Sequence, residues 1–338
     1  MTYRISDLQM TSTFIDEMMQ SKEALEQKRQ EIATGYRVLN PSDDPGQAGT
    51  IASLQHALQR IDGHEKRISL ATSSLQTQET IVTSADDLLT RAKELATQAA
   101  NGPMSGTNRT EIADEVFALR DELARLANTR AQGSNIYGGK DDSNPPFTLN
   151  NAAPFFYTNP PDASPAANPS EKTHWAFSSS PDATETRSVM VTDTDSVRVT
   201  SRADQVFEPA INALEELGRA LKGYSTGLTG GVPDGSGTAY TDTATQTQDI
   251  EHAIDAIDDA KVNHLDVELS SIGARTNQLD QTNSILESLK TTTEEARSSL
   301  QDTDMISAAS EFTNLQTALQ GLLAAGSRIN NLSLLNYL

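Results

Sequence analysis

Apolar and small residues recur every seven positions along both flanks of this chain, and that period leaves few folds open. Leu54, Ile61, Ile68, Leu75, Val82, Leu89 and Ala96 stand seven apart, and Ala57, Ala71, Ala85, Ala92 and Ala99 follow three residues on. His64 and Gln78 interrupt that second series. Toward the other end Leu265, Ile272, Leu279, Leu286 and Leu300 keep the step, broken once at Thr293. A seven-residue repeat lays one narrow apolar stripe along a helix, and such a stripe stays dry only against other long helices. The chain therefore reads as mainly α with a β-containing insert: a long antiparallel coiled-coil or helical bundle drawn from both termini around a central β-rich domain.

Local signals divide the flanks further. A first helix is predicted over residues 5–34, with Leu8, Ile15, Met18, Leu25 and Ile32 on two heptad positions and Gly35 placed as its C-terminal cap. In Asn40-Pro41-Ser42-Asp43-Asp44-Pro45, Ser42 or Asp43 is expected to cap the next helix, Asp44 to complement its dipole, and Pro45 to sit in its first turn. That helix should run to Asn101-Gly102-Pro103, and another from Thr107 to Asn128. The period then changes. Gly133 to Gly139 and Pro145-Pro146-Phe147 read as strand and turn, Val189, Val191, Val197 and Val199 as short strands, and 204–222 as a helix. Gly223 to Gly237 reads as a linker, and heptad helices resume at Thr247 with one break near Asp302. The organisation expected is terminal helical segments at 1–40 and 303–338, a bundle core at 41–148 and 203–302, and the insert at 149–202.

Charge sorts these parts by environment. The net charge is −21, and residues 141–260 carry nineteen acidic against six basic side chains, so the middle of the chain is the solvated part. Without Lys/Arg clusters, neither nucleic acid nor an anionic membrane surface is an expected partner. Residues 305–338 hold only Glu311 and Arg328 as charged side chains, which suits a covered helix rather than a free one. Met305, Ala308, Phe312, Leu315, Leu319, Leu322, Gly326 and Ile329 alternate three and four apart there, a strict seam. It either closes an intramolecular hairpin with the first helix or also packs against neighbouring copies. The candidate assembly residues are thus Leu8, Ile15, Met18, Leu25 and Ile32 with Met305, Phe312, Leu315, Leu319, Leu322 and Ile329.

Catalytic constellations are not found in the sequence. There is no cysteine, which removes disulfides, thiolate chemistry and cysteine metal sites. His56, His64, His174, His252 and His264 lack metal-ligand spacing, and His56 and His64 read as helix packing. Nucleophile elbows and phosphate loops are absent. Asp43-Asp44 reads as caps, and Asp258-Asp259 as a solvated helix face. No enzyme activity and no cofactor are expected. The first thirty residues hold no continuous apolar core of the kind Sec export reads, and no run is long enough to span a membrane.

The stretch Glu31-Ile32-Ala33-Thr34-Gly35-Tyr36-Arg37-Val38-Leu39-Asn40-Pro41-Ser42-Asp43-Asp44-Pro45 resembles the N-terminal signature of bacterial flagellins and hook-associated junction proteins. Its Asn-Pro-Ser-Asp-Asp-Pro form is closer to the hook-associated protein 3 branch. Asn135-Ile136-Tyr137-Gly138-Gly139-Lys140, Arg187 to Val199, Ser271 to Leu279 and the tail from Asp304 through Phe312 to Leu335 are similar to the same family, in the same order. The resemblance covers about residues 1–150 and 185–338. It implies a structural, extracellular role, with export through the flagellar type III apparatus and terminal helices innermost. It also implies a ring-like homo-oligomer between hook and filament, with the first hook-associated protein on one side and flagellin on the other, and a cytoplasmic export chaperone over the C-terminal helix. A bulk filament subunit, and a secreted effector with a head in 150–245, remain as alternatives.

Overall fold

The computed structural model describes residues 2–101, 105–131, 133–141, 143–150, 174–178, 180–223, 228–229, 232–233, 240 and 243–335. Its elements are α1 (Thr2–Thr34), α2 (Pro45–Ala100), α3 (Gly106–Ala127), β1 (Arg130–Ala131), β2 (Ser134–Asn135), β3 (Phe147–Asn150), β4 (His174–Phe177), β5 (Ser188–Met190), β6 (Ser196–Arg198), α4 (Ala203–Val206), α5 (Glu208–Lys222), β7 (Leu228–Thr229), β8 (Val232–Pro233), α6 (Thr243–Asp259), α7 (Asp266–Gln301) and α8 (Met305–Leu335). A π-helical turn, Ala260–Leu265, joins α6 to α7. The chain is thus mainly α, with the β material confined to four two-stranded antiparallel ribbons among the described residues. Two compact units result, Met1–Gly63 with Leu286–Leu338, and His64–Ile285.

In the first unit, α1 ends where glycine is required: Gly35 has φ of 76°, and its N–H closes on Glu31 O at 2.8 Å. The turn that follows differs in one respect from the expectation. Asp44, not Ser42 or Asp43, caps α2, its Oδ1 accepting Gln47 N–H at 3.2 Å. Asp43 instead tightens the turn by accepting the N–H groups of Leu39 (3.0 Å) and Asn40 (2.7 Å). The reason is Pro45: as the first helical residue it puts the capping position one residue before itself. Asp304 caps α8 in the same way, through Ile306 N–H at 2.9 Å.

The second unit is organised around α5. Eleven of its 15 residues are buried, so it is wrapped on most sides rather than lying on a surface. It packs against α3 at close range because Gly218 offers no side chain; a Cβ there would stand 2.7 Å from the Phe117 ring. The single helix expected over 204–222 is two in the structure. Pro209 lacks an N–H for the preceding turn, so α4 stops at Val206 and α5 restarts at Glu208, with Phe207 fully buried at the corner. Tyr137 meets Phe207 edge-on, with ring centroids 4.7 Å apart. Gly223, with φ of 96°, caps α5; of the linker expected after it, only β7 and β8 lie among the described residues. The 150–173 part of the insert lies almost wholly outside the described residues.

Candidate assembly site

α1 and α8 pair antiparallel within the first unit. Lys28 Nζ reaches Glu31 on its own helix and Glu311 on α8, each at 2.9 Å, and hydrogen bonding first to Glu31 and then to Glu311 raises the Lys28 pKa. Farther along, the Phe14 ring fills the space over Gly326, where a Cβ would lie 2.5 Å from Phe14 Cζ. Along the contact Met18, Leu25, Ile32, Phe312, Leu315, Leu319 and Leu322 are half-buried, while Ile15 and Met305 are exposed. The side chains of Leu8 and Ile329 lie outside the described residues. The most enclosed residues here are Ala308, already part of the seam, and Glu31, which the sequence did not single out and which Lys28 holds. Two helices cannot cover each other completely, and Met19, Ile306 and Leu323 are left with more than half their surface open, Ile306 at 84%. An apolar surface of that kind on paired helices is the sort that further helices cover.

The candidate bundle residues behave differently. In the first unit Ile61 and Leu286 are buried and Leu54 is half-buried, with Lys290 on α7 bonded to Asp62 on α2 at 2.8 Å. In the second, Ile68, Leu75, Val82, Leu89, Leu265, Ile272 and Leu279 are all buried, and Ala85, Ala92, Ala96 and Ala99 are buried beside them. Asp258, beside the exposed Asp259, keeps 43% of its side chain open but is also paired. It accepts two bonds from Lys93 at 2.6 and 2.7 Å, and Lys261 binds Asp86 at 2.9 Å, which ties α2 to the α6 end of the opposite helix.

The polar interruptions of the heptad prove to be docking points for the β5–β6 hairpin. Gln78 is fully buried and donates to Val199 O at 2.7 Å, while its Oε1 lies 3.3 Å from Ser201 Oγ and its own carbonyl accepts from Tyr137 Oη at 3.1 Å. Ser201 Oγ donates on to Glu268 Oε1 at 2.5 Å, which also receives Arg275 Nη2 at 2.5 Å. Arg275 lies within the 271–279 stretch that carried the resemblance, and it also reaches Arg198 O at 3.3 Å. At the hairpin tip His64 Nε2 faces Asp193 Oδ1 at 3.2 Å, and Arg67 donates to Met190 O at 2.7 Å and to His64 Nδ1 at 2.6 Å. Burial drives the Tyr137 hydroxyl pKa well above 10, with the Glu268 charge adding to it, so Tyr137 is a neutral donor. This is wiring between segments, and it holds no exposed nucleophile.

The glycine-rich turn after β2 is packed as closely. Gly139 has φ of 65°, and a Cβ on it would stand 2.8 Å or less from the carbonyl oxygens of Asp182, Ala183 and Glu185. Asp141 closes the turn by accepting from Asn144 Nδ2 at 3.1 Å and from the N–H groups of Ser143 (3.0 Å) and Asn144 (3.1 Å). The Asn144 side chain first, then these backbone donors, pulls its carboxyl down to about 2. A depressed carboxyl contributes order that is complete above its unfolded value of 3.8 and is lost as pH falls through about 2. Protection of the Ser143 and Asn144 amides, taken relative to unstructured peptide at each pH, should therefore hold to about pH 4 and fall between there and pH 2; constant protection across that window would refute the assignment.

A second buried network joins α3, α5 and β4. The Arg120 side chain, fully buried, binds Glu215 and Asp121, the latter at 2.7 Å. Glu215 also receives Arg219 Nε at 2.5 Å, and Trp175 Nε1 donates to Asp121 Oδ1 at 2.9 Å. Among the described residues no three His, Asp or Glu side chains gather as a metal-holding group, and no helix is long and apolar enough to cross a membrane.

The class this defines is a long-helix protein with paired terminal helices and a central region of short β-ribbons. Two family models match it: the bacterial flagellin N-terminal helical region over residues 5–140 and the bacterial flagellin C-terminal helical region over residues 254–338, together about two thirds of the chain. The chain belongs to the bacterial flagellin family. It is similar to flagellar hook-associated protein 3 of Escherichia coli, with 31% identity over 120 residues, which are 35% of this chain and 38% of that protein. It is also similar to the flagellar filament 41 kDa core protein of Borreliella burgdorferi, with 30% identity over 103 residues, 30% of this chain and 31% of that one. These matches span well under half of the curated relatives' length. In fold it is similar to the solved structure of flagellar hook associated protein-3 from Legionella pneumophila, with a TM-score of 0.56, 16% identity, and 74% of this chain and 98% of that one covered.

Proposed function

We propose that this chain is a structural subunit of the hook–filament junction, and that it works by helix packing rather than by catalysis. The observation that carries the reading is the α1–α8 hairpin: apolar side chains remain exposed on a pair of helices that cannot cover themselves, in a chain whose family is flagellar. The occupants are further copies of this chain in a ring-like oligomer, the first hook-associated protein on one side and flagellin on the other, with a chaperone covering α8 before export to the cell exterior. The interface is formed by the exposed Ile15, Met19, Met305, Ile306 and Leu323 together with the outer edges of the half-buried Met18, Leu25, Ile32, Phe312, Leu315, Leu319 and Leu322. The Asn40 to Pro45 turn and the Escherichia coli relative favour the junction over the filament.

Deleting the gene separates the readings. Hooks without filaments, with abundant flagellin shed into the medium, are the expected result. Hooks without filaments and no flagellin outside would make this chain the filament subunit, and normal filaments in a strain with no second copy would overturn both.

A further inference from the structure

In the unit formed by Met1–Gly63 and Leu286–Leu338, the two breaks between long helices meet at one place. α1 stops at Gly35 and α7 at Gln301, and the segments beyond them pair. Thr303 N–H donates to Gly35 O at 2.9 Å, Tyr36 and Asp302 form an antiparallel bridge, and Arg37 N–H donates to Gln301 O at 2.7 Å. The Arg37 side chain crosses the same junction. Its Nη2 donates to Leu300 O at 2.8 Å and to Gln47 Oε1 at 3.0 Å, and its Nη1 faces Asp44 Oδ2 at 3.4 Å.

One cation therefore touches both the carbonyl end of α7 and the first turn of α2. The last carbonyls of a helix have no partner inside it and carry partial negative charge, so a guanidinium is favoured there, and Asp44 adds a full negative charge on the other side. Around it, residues 35–44 and 302–304 are the stretches of non-helical backbone able to absorb a change of angle. Gly35 has open space where a side chain would be, and Val38 is buried, so the turn pivots at one end and is anchored at the other.

We propose that Arg37 is a positioning residue that latches a paired hinge. Seated on Leu300 O, Gln47 and Asp44, it sets the angle at which the α1–α8 hairpin leaves the adjoining ends of α2 and α7. Released, it lets the hairpin turn about Gly35 and Asp302–Thr303. Most of the latch consists of hydrogen bonds to neutral groups that water can replace, so it holds the angle without welding it. The latch is a property of the single chain, whatever that chain assembles with.

The absence of cysteine makes the test direct, because spin labels can be placed pairwise in the full-length chain. Gln27→Cys on α1 with Gln55→Cys on α2 straddles the hinge, and Gln27→Cys with Asn314→Cys on α8 reports the hairpin itself; all three positions are exposed. Pulsed dipolar spectroscopy should give one distance population for each pair when Arg37 is present. Arg37→Ala should add a second population across the hinge while the hairpin pair stays as it was. Arg37→Lys, which keeps the charge but not the fork, should fall between. An unchanged hinge distribution in Arg37→Ala overturns the latch. So does spreading of both pairs together, since Arg37 would then hold the hairpin rather than its angle.

Discussion

Glu215→Ala should destabilise the His64–Ile285 unit by about 3–5 kcal/mol, because it takes from two buried cations a carboxylate they share and leaves Arg120 with Asp121 alone. Arg120 is fully buried, and burial works against its charge; Glu215 and then Asp121 more than offset that, leaving its pKa raised. Removing Glu215 strips a carboxylate from both Arg120 and Arg219 at once. The chain supplies its own probe: its one tryptophan, Trp175, bonds Asp121 beside the network, so denaturant unfolding followed by its fluorescence reports this region. Glu122→Ala is the control, since Glu122 pairs with Arg125 on the surface and should change stability by less than about 1 kcal/mol. Equal effects from the two variants would show that the buried pair is compensated by its surroundings.

Leu315→Asp should abolish incorporation into the flagellum while leaving the monomer soluble. Leu315 is half-buried along the α1–α8 pair, and an ionised carboxylate in its place would put a charge into the apolar stripe from Phe312 to Leu322. Because α8 lies in the other unit, thermal unfolding of the His64–Ile285 unit should be unchanged. Leu315→Met, which conserves volume, should incorporate normally. The measurement is purification of flagella from complemented deletion cells and detection of the variant in them. Normal incorporation of Leu315→Asp would count against the assembly role given to this face.

Much of the fold was legible because long helices advertise themselves. The step from Leu54 to Ala99 and the Gly35 cap depend on neighbours a few residues away, so their period and chemistry can be read directly. The α2 cap was placed one or two residues early for an equally local reason, since Pro45 fixes which residue precedes the first turn. The partner of Asp258 stayed hidden for a non-local one: a carboxylate on a partly solvated helix face also finds Lys93 165 residues away. The candidate assembly residues on α1 and α8 were visible as a seam, but Ile306 and Leu323 lie off the period and show only in three dimensions that they are left open.

By itself the sequence determined that long amphipathic helices occupy both flanks and that a polar, acidic, β-containing middle separates them, because helix period and charge density are properties of short stretches of chain. Only the tertiary structure decided what the irregular positions are for. Gln78 and His64 look like faults in a repeat until the β5–β6 hairpin arrives on them from 121 and 129 residues away. Arg120 and Glu215 look like ordinary surface charges until α3 and α5 close over them. Burial and long-range pairing depend on which faces meet. A one-dimensional period says that a face must be covered and leaves open what covers it.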